Sequence, residues 1–320
     1  MTQSISHPPV VIPYRSQDFK IIPNGAFTLE AWPEELLWAA ITVGRANFLD
    51  VLAHGQYSEY ELIYRISMIL ANLKRTQQNH LEKSPAFLHL DPSEKGAISY
   101  FLGMSVCKLF ADRLLNAPWL LHFDVYRAWL DISQHIGTRK KPDLIGWDYA
   151  GNWVVLESKG RTNGFSPDLL VKGKDQAQSI DSINGLRPLQ IAAVTHFAEG
   201  FLGFDWTDPE EFNEDGLNLW ITPENFLSIY YKQIYNILFN NIENTFVSRQ
   251  FRFYRFEHLG LTIGLHEDIY IAYQKQLLSK INRAENQRFQ KIPEIEGQLF
   301  YFGPDGIAIG ISQEIRDQLR

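Results

Sequence analysis

The sequence predicts a mixed α/β (α+β) fold, with a central mixed sheet flanked by helices. Hydrophobic residues make up 45% and aromatic residues 13% of the chain, enough for a sizeable core. Amphipathic helical patterns alternate with short runs rich in Val, Ile and Trp, without an internal repeat. Over residues 91–197 this alternation predicts the order helix, strand, strand, strand, helix, strand.

The 320 residues allow one large domain or two smaller ones. The elements divide the chain into an N-terminal helical extension over 1–83, a core over 84–200 and a C-terminal mixed α/β region over 201–320. We expect the C-terminal region to pack on the core.

The N-terminal part begins with residues 1–30, which are expected to be irregular or short extended structure. Helical periodicity then covers 32–53 and 58–76, joined by a short turn. The next helix has Asp91 at its N-cap, Pro92 in its first position and Glu94 in its third, and it ends near residue 116.

The core continues with a strand somewhere in 119–130 and a polar break over 133–141. Strands DLIGWD and WVVLESKG flank the turn residues 149–152, a pattern typical of a β-hairpin. A helix is predicted from Ser166 to about Ile183, and PLQIAAVTHF predicts a buried strand.

The C-terminal part contains an aromatic-rich helix, ENFLSIYYKQIYNILFNN, and the strand-like run TFVSRQFRFYRFEHLGLTIGL. A polar helix over 266–290 and a final hairpin around Pro304-Asp305-Gly306 complete the predicted elements.

Composition narrows the class of protein. The net charge of −7 argues weakly against a general nucleic-acid binder, although basic residues exceed acids between Arg139 and Lys174. The single cysteine, Cys107, lies in an apolar run and is expected to be buried in a reducing compartment. No signal-peptide or membrane-spanning pattern is read, so a soluble cytoplasmic protein is expected.

The residues most suggestive of chemistry are Pro142-Asp143 and Glu157-Ser158-Lys159, on either side of the predicted hairpin. Side chains two apart on a strand share a face, so Glu157 and Lys159 project together. Burying both beside apolar neighbours is costly unless they pair or bind a ligand. Only this Pro-Asp pair in the chain is followed by such a triplet across a hairpin.

With its element order, this segment resembles the PD-(D/E)xK nuclease superfamily, which has the restriction-endonuclease-like fold. The resemblance covers about residues 91–197. It implies that Asp143 and Glu157 hold Mg²⁺, or Mn²⁺ as a substitute, with Lys159 beside them as a catalytic residue. It further implies a metal-dependent endonuclease acting on DNA, in a restriction or antiphage defence system. A homodimer, or a partner such as an ATPase or helicase, would fit that role.

The residue types suit that chemistry. Phosphodiester hydrolysis needs a hard cation that neutralises charge and acidifies water, and Mg²⁺ binds oxygen ligands while keeping several waters. An ammonium nearby orients water or stabilises charge on the phosphate. Two alternatives stay open: a non-cleaving nucleic-acid-binding or assembly subunit on the same fold, and a surface hairpin with an incidental Glu157–Lys159 ion pair.

Glu94 has two interpretations. It begins a helix face that continues through Ile98 and Phe101, and some members of the resembled family use an acid from this helix as a metal ligand or orienting base. Asp91 and Glu94 also form a plausible reciprocal cap, which needs no site.

Further residues are candidates for contacting nucleic acid. Lys174 and Gln178 share a helix face, which is either solvated or directed to the cleft, where family members often place polar or basic residues. Arg161 follows the triplet and is a candidate for a phosphate contact, with an ordinary surface charge as the alternative. The segment SRQFRFYRFEH is best explained as an ordinary strand with packed aromatics, and within it Arg252 is the candidate for a phosphate contact. The histidines, His122 and His196 among them, make no zinc-ligand spacing and are expected to be structural.

Overall fold

The computed structural model describes residues 8–43, 56–126, 141–208, 216–281, 294–295 and 297–314. The helices are α1 (Pro33–Thr42), α2 (Gln56–Asn72), α3 (Pro85–His89), α4 (Pro92–Leu115), α5 (Phe123–Tyr126), α6 (Asp168–Ala177), α7 (Pro223–Asn240) and α8 (Glu267–Lys275). The strands up to the end of the predicted core are β1 (Val10–Gln17), β2 (Gly25–Ala31), β3 (Leu73–Arg75), β4 (Leu81–Lys83), β5 (Trp119–His122), β6 (Leu144–Trp147), β7 (Trp153–Gly160), β8 (Ile180–Ile183) and β9 (Leu189–His196). The remaining strands are β10 (Gly203–Thr207), β11 (Leu217–Leu219), β12 (Thr245–Ser248), β13 (Phe251–Phe256), β14 (Leu261–His266), β15 (Glu294–Ile295), β16 (Gln298–Phe302) and β17 (Ile307–Ile311).

A seven-stranded mixed sheet forms the centre of the molecule, in the order β2-β1-β10-β9-β7-β6-β5. The β1–β10 and β7–β9 pairs are parallel, and the other neighbours are antiparallel. The predicted central mixed sheet flanked by helices is therefore present.

Helices cover the middle of this sheet on both faces. On one face α4 packs against β7 and β9, and Gly103 of α4 lies close to Ser158. On the other face α6 packs against the same strands, with Gly173 next to Glu157. Because successive side chains of a strand alternate between faces, the α6 face is the one that carries Glu157 and Lys159.

The C-terminal part forms a second, antiparallel sheet in the order β12-β13-β14-β17-β16-β15. Helix α7 packs against β5 of the central sheet and against β13 and β14 of the second sheet. It therefore joins the two sheets through one apolar core, which includes Phe226, Tyr231 and Ile234.

Several predicted elements are confirmed. Helix α4 has the expected capping box, in which Asp91 accepts from the backbone of Ser93 and Glu94. The β6–β7 hairpin turns at Gly151, whose φ of 90° is favourable for glycine. The β16–β17 hairpin turns at the predicted Pro-Asp-Gly sequence, and Cys107 is buried.

The predicted three-part division does not match the course of the central sheet. Strands β1 and β2 come from the expected N-terminal helical extension, and β10 comes from the expected C-terminal region. The helix predicted to reach Ile183 ends at Ala177, and β8 follows it. The expected ends of the 32–53 and 266–290 helices, and most of the polar break, lie outside the described residues. No helix among the described residues has the length and apolarity needed to cross a bilayer.

Candidate active site

The β6–β7 hairpin places Asp143 beside Glu157. Leu144 is paired with Leu156, so the residue before β6 lies next to the first residue of the Glu-Ser-Lys triplet. The backbone N–H of Asp143 donates to Glu157 Oε2 at 3.1 Å, and that of Ser158 donates to Asp143 Oδ2 at 3.0 Å. Each carboxylate is thus held by the backbone next to the other, so the two acids are fixed side by side.

The ammonium group of Lys159 contacts one acid of this pair and helix α6. Its Nζ donates to Glu157 Oε1 and also to Gln176 Oε1 on α6. Gln176 in turn donates from Nε2 to the backbone oxygen of Lys141 at 3.4 Å. The lysine side chain is 28% exposed while that of Glu157 is 2% exposed, so the ammonium lies at the mouth of the site and the carboxylate at its floor.

Burial raises the pKa of both carboxyl groups. Burial raises the pKa of Asp143 above its usual value. Burial, together with the charge of Asp143, raises the pKa of Glu157 to about 7, and Lys159 only partly opposes this. A cation bound next to both carboxyl groups would favour their charged, deprotonated forms.

Tyr100 and His122 form a polar contact near Asp143 that the sequence did not reveal as part of the site. Tyr100 Oη lies 3.0 Å from His122 Nε2, and Phe123 donates its backbone N–H to the backbone carbonyl oxygen of Asp143 at 2.9 Å. Burial lowers the pKa of His122, an effect that Asp143 and Asp124 oppose. Its Nδ1 is buried without a hydrogen-bond partner in the described part of the chain. His122 therefore lies beside the acids of the candidate site, whereas the sequence predicted only a structural role for it.

Glu94 is exposed and serves as part of the helix cap. Its Oε2 accepts from the backbone N–H of Asp91 at 3.2 Å, which confirms the capping interpretation. Its hydrogen bonds among the described residues stay within this cap, so a metal-ligand role remains a prediction. Arg161 is exposed just after β7, where its backbone N–H donates to Thr195, and its expected phosphate contact is also a prediction.

Lys174 and Gln178 do not form the solvated or cleft-facing helix face that their spacing suggested. Lys174 is buried, and its Nζ donates to the Gln190 backbone oxygen and to Asp208 Oδ1. Gln178 is also buried, at the C-cap of α6. The residue of α6 that reaches the site is Gln176, two positions from each.

Arg252 has partners within the second sheet. It forms a salt bridge with Glu267 at 3.0 Å, and its guanidinium lies 4.5 Å from the centre of the Tyr270 ring. Phe251 and Phe253 are buried beside it, as an ordinary packed strand requires. A phosphate contact by Arg252 would compete with the Glu267 carboxylate and stays a prediction.

The donor set fits a hard divalent cation. Two carboxylates, Asp143 and Glu157, are adjacent, and Mg²⁺ is commonly held by one or two carboxylates plus waters. No cluster of three or more His, Cys, Asp or Glu side chains suited to a metal occurs among the described residues. Asp143 and Glu157 could supply two oxygen ligands to such a cation.

Comparisons with known proteins supply no relative from which a role could be transferred. No protein-family model, curated protein or solved structure matches this chain. A functional assignment thus rests on the geometry of the hairpin and its neighbours.

Proposed function

We propose that this protein is a metal-dependent nuclease that hydrolyses phosphodiester bonds of DNA, as an endonuclease. The observation that carries the proposal is the reciprocal hydrogen bonding of Asp143 and Glu157, which brings two buried carboxylates together with Lys159. A restriction or antiphage defence role would suit such an activity.

The two acids would hold Mg²⁺ or Mn²⁺. When bound, the cation neutralises charge on the phosphate and lowers the pKa of water. Asp143 and Glu157 provide the oxygen ligands, already oriented by backbone N–H groups. Lys159 keeps its ammonium at the mouth, where it donates a hydrogen bond to a phosphate oxygen or to the attacking water. Gln176 holds that ammonium in place from the opposite side.

An incidental ion pair explains the site less well. A Glu157–Lys159 pair alone would not need a second buried carboxylate beside it, because Asp143 adds repulsion rather than support. Buried charge is costly when it is not fully compensated, and strongly raised pKa values cluster at functional sites. A cation bound by both Asp143 and Glu157 would offset the electrostatic repulsion between the two carboxylates.

Plasmid nicking tests the proposal. We expect wild-type protein to nick supercoiled DNA with Mg²⁺ or Mn²⁺ and not with EDTA, while Ca²⁺ allows binding with little turnover. Asp143→Asn, Glu157→Gln and Lys159→Met should each reduce cleavage by at least about 100-fold, because groups that act as a unit are strongly non-additive. Lys172→Met, at an exposed position on α6, is the matched control and should cleave normally.

Thermal melting provides a second readout that does not depend on turnover. Mg²⁺ should raise the melting temperature of the wild type, because it binds only the folded state. The Asp143→Asn/Glu157→Gln double variant should fold but show no such rise. Nicking that persists in all three single variants, or equal Mg²⁺ stabilisation of the double variant, would exclude this site.

A further inference from the structure

A second pocket opens on the sheet face that carries Glu157 and Lys159. Lys159 is paired with Val194 of β9, and Val194 is paired with Asp205 of β10. Paired residues of neighbouring strands project to the same side, so Asp205 shares the face of the lysine. Strands lie about 4.8 Å apart, which places the Cα atoms of Lys159 and Asp205 about 10 Å from each other.

The floor of this pocket is a histidine–aspartate pair. His196 Nε2 lies 2.7 Å from Asp205 Oδ2, and His196 Nδ1 accepts from the backbone N–H of Ala198 at 3.2 Å. Because Nδ1 is an acceptor, Nε2 carries the proton and donates it to the carboxylate. A Cβ at Gly203 would lie 2.9 Å from His196 Cε1, so the glycine makes room for the ring. These two hydrogen bonds and the space at Gly203 fix the orientation of the imidazole ring.

The remaining groups of the pocket are free to meet a ligand. Asp205 Oδ1 has no hydrogen-bond partner among the described residues, and the Asp205 side chain is 12% exposed. Arg15 is paired with Asp205 in the strand register, is exposed, and makes no ion pair in the described part of the chain. Phe165 lies with its ring centre 5.3 Å from that of His196, and Glu199 is exposed at the rim.

The size and chemistry of the pocket limit what it can hold. Its volume is about 210 Å³, equal to roughly seven waters, which suits one flat ring system. Asp205 and Glu199 disfavour a phosphate inside it, whereas a carboxylate oxygen accepts readily from an amino group. A metal ion is also disfavoured, because both nitrogens of His196 are already used.

We infer that this pocket binds one unpaired nucleobase that bears an exocyclic amino group, next to the phosphate that is cleaved. The inference rests on the proposed nuclease function and specifies that its DNA substrate presents an unpaired base at the cleavage site. Asp205 accepts from the amino group, Phe165 stacks on the base, and Arg15 contacts a neighbouring phosphate. Thymine fits poorly, because its only N–H lies between two carbonyl oxygens that a carboxylate repels.

Base-dependent binding in EDTA tests the pocket without involving the cation. Fluorescence anisotropy would compare short dC and dT oligonucleotides, and we expect the wild type to bind dC about tenfold more tightly. Asp205→Asn should remove this preference. Arg15→Ala should weaken both oligonucleotides equally and lower the slope of log K against log salt by about 0.7.

Arg249→Ala is the matched control, because Arg249 is another exposed arginine and lies in the turn between β12 and β13. It should bind like the wild type, and melting curves would show that each variant is folded. Phe165→Ala should weaken both oligonucleotides, which keeps the pocket testable if Asp205→Asn is unstable. Equal affinity of the wild type for dC and dT, or equal behaviour of the Arg15 and Arg249 variants, would overturn the inference.

The two proposals fail separately. Asp143→Asn should lose plasmid nicking and keep the dC preference, because the base pocket does not include the cation ligands. Base preference without any metal-dependent cleavage would remove the nuclease assignment and leave the pocket. Metal-dependent cleavage without base preference would keep the nuclease assignment and exclude the base pocket.

Discussion

Gln176 is the side chain that links Lys159 to helix α6. The inward face of α6 consists of Leu170, Gly173, Lys174 and Ala177, all buried, and Gln176 flanks this face. That spacing is a regular helical stripe and was readable from the sequence. This spacing indicates that Lys174 points inward. Its ion-pair partner, Asp208, is distant in the sequence, so the helix pattern alone does not predict the pairing.

Replacing Gln176 should affect cleavage more than stability. Gln176→Ala removes the amide that holds Lys159 Nζ, and we expect cleavage to fall about tenfold to 100-fold because a small misplacement of a catalytic group is costly. Gln178→Ala is the matched change and should lower the melting temperature without a selective effect on turnover, since Gln178 is buried at the helix end. Equal nicking rates for the wild type and Gln176→Ala would remove this positioning role.

Glu94→Gln separates the cap from a ligand role. Glutamine can still accept from the Asp91 N–H, and the observed capping box therefore predicts unchanged melting and unchanged cleavage. Nicking rate and melting temperature should be measured on the same preparation. Normal melting with strongly reduced cleavage would instead place Glu94 at the cation.

At the level of elements, α4 and β7 are unusually close. A Cβ at Gly160 would lie 1.7 Å from the backbone oxygen of Ser99, and a Cβ at Gly103 would lie 3.1 Å from the Gly160 nitrogen. Ser99 and Thr162 also share a hydrogen bond of 3.1 Å between their side chains. The helix thereby fixes the end of the strand that carries Glu157 and Lys159.

Gly160→Ala should therefore be strongly destabilising. The added methyl group must displace the backbone of α4, and such overpacking costs about 1–3 kcal/mol or more in the free energy of unfolding. Gly96→Ala lies in the same helix with nothing within 4 Å, so it should stabilise the protein by about 0.5–1 kcal/mol. Urea denaturation of both variants gives the comparison, and similar stabilities would show that α4 can move away from β7.

The hairpin was predictable because its information is local. Turn residues, alternating apolar residues and the motif all lie within residues 141–161, and β6 and β7 pair directly with each other. Strands β1, β2 and β10 were not assigned to the sheet, because the pairing of Tyr14 with Phe204 joins distant parts of the chain. Pairing between distant strands is set by packing, which a single sequence does not display.

For the molecule as a whole, a buried polar network connects the two sheets. Lys108 of α4 donates to Tyr230 Oη at 2.7 Å, and Tyr230 donates to Asp305 Oδ2 at 2.6 Å. Asp305 also accepts from Trp38 and from the backbone of Ile307. The Pro-Asp-Gly turn was expected to be a simple hairpin tip, yet its aspartate is fully buried at the junction of α1, α4 and α7.

This network predicts a pH dependence of stability. Burial lowers the pKa of Lys108 to about 8, below its usual 10.5. Between these values the unfolded chain binds more protons than the folded one, so the free energy of unfolding should rise with pH from about 8 to 10, by at most about 3 kcal/mol. Lys108→Met should abolish this rise. Urea titrations at several pH values would test it, and parallel curves for both proteins would contradict the assignment to Lys108.

The pairing of β1 with β10 has a consequence for the order of events during synthesis. Trp206 Nε1 donates to Ser16 Oγ across 190 positions of sequence, so the edge of β1 opposite β2 waits for most of the chain before β10 can pair with it. At about 5–20 residues per second, this delay on the ribosome is on the order of 10–40 s. Asp143 and Glu157 emerge during that interval, before the strand that carries Asp205. The acids of the proposed cation site would therefore leave the ribosome before Asp205 of the proposed base pocket.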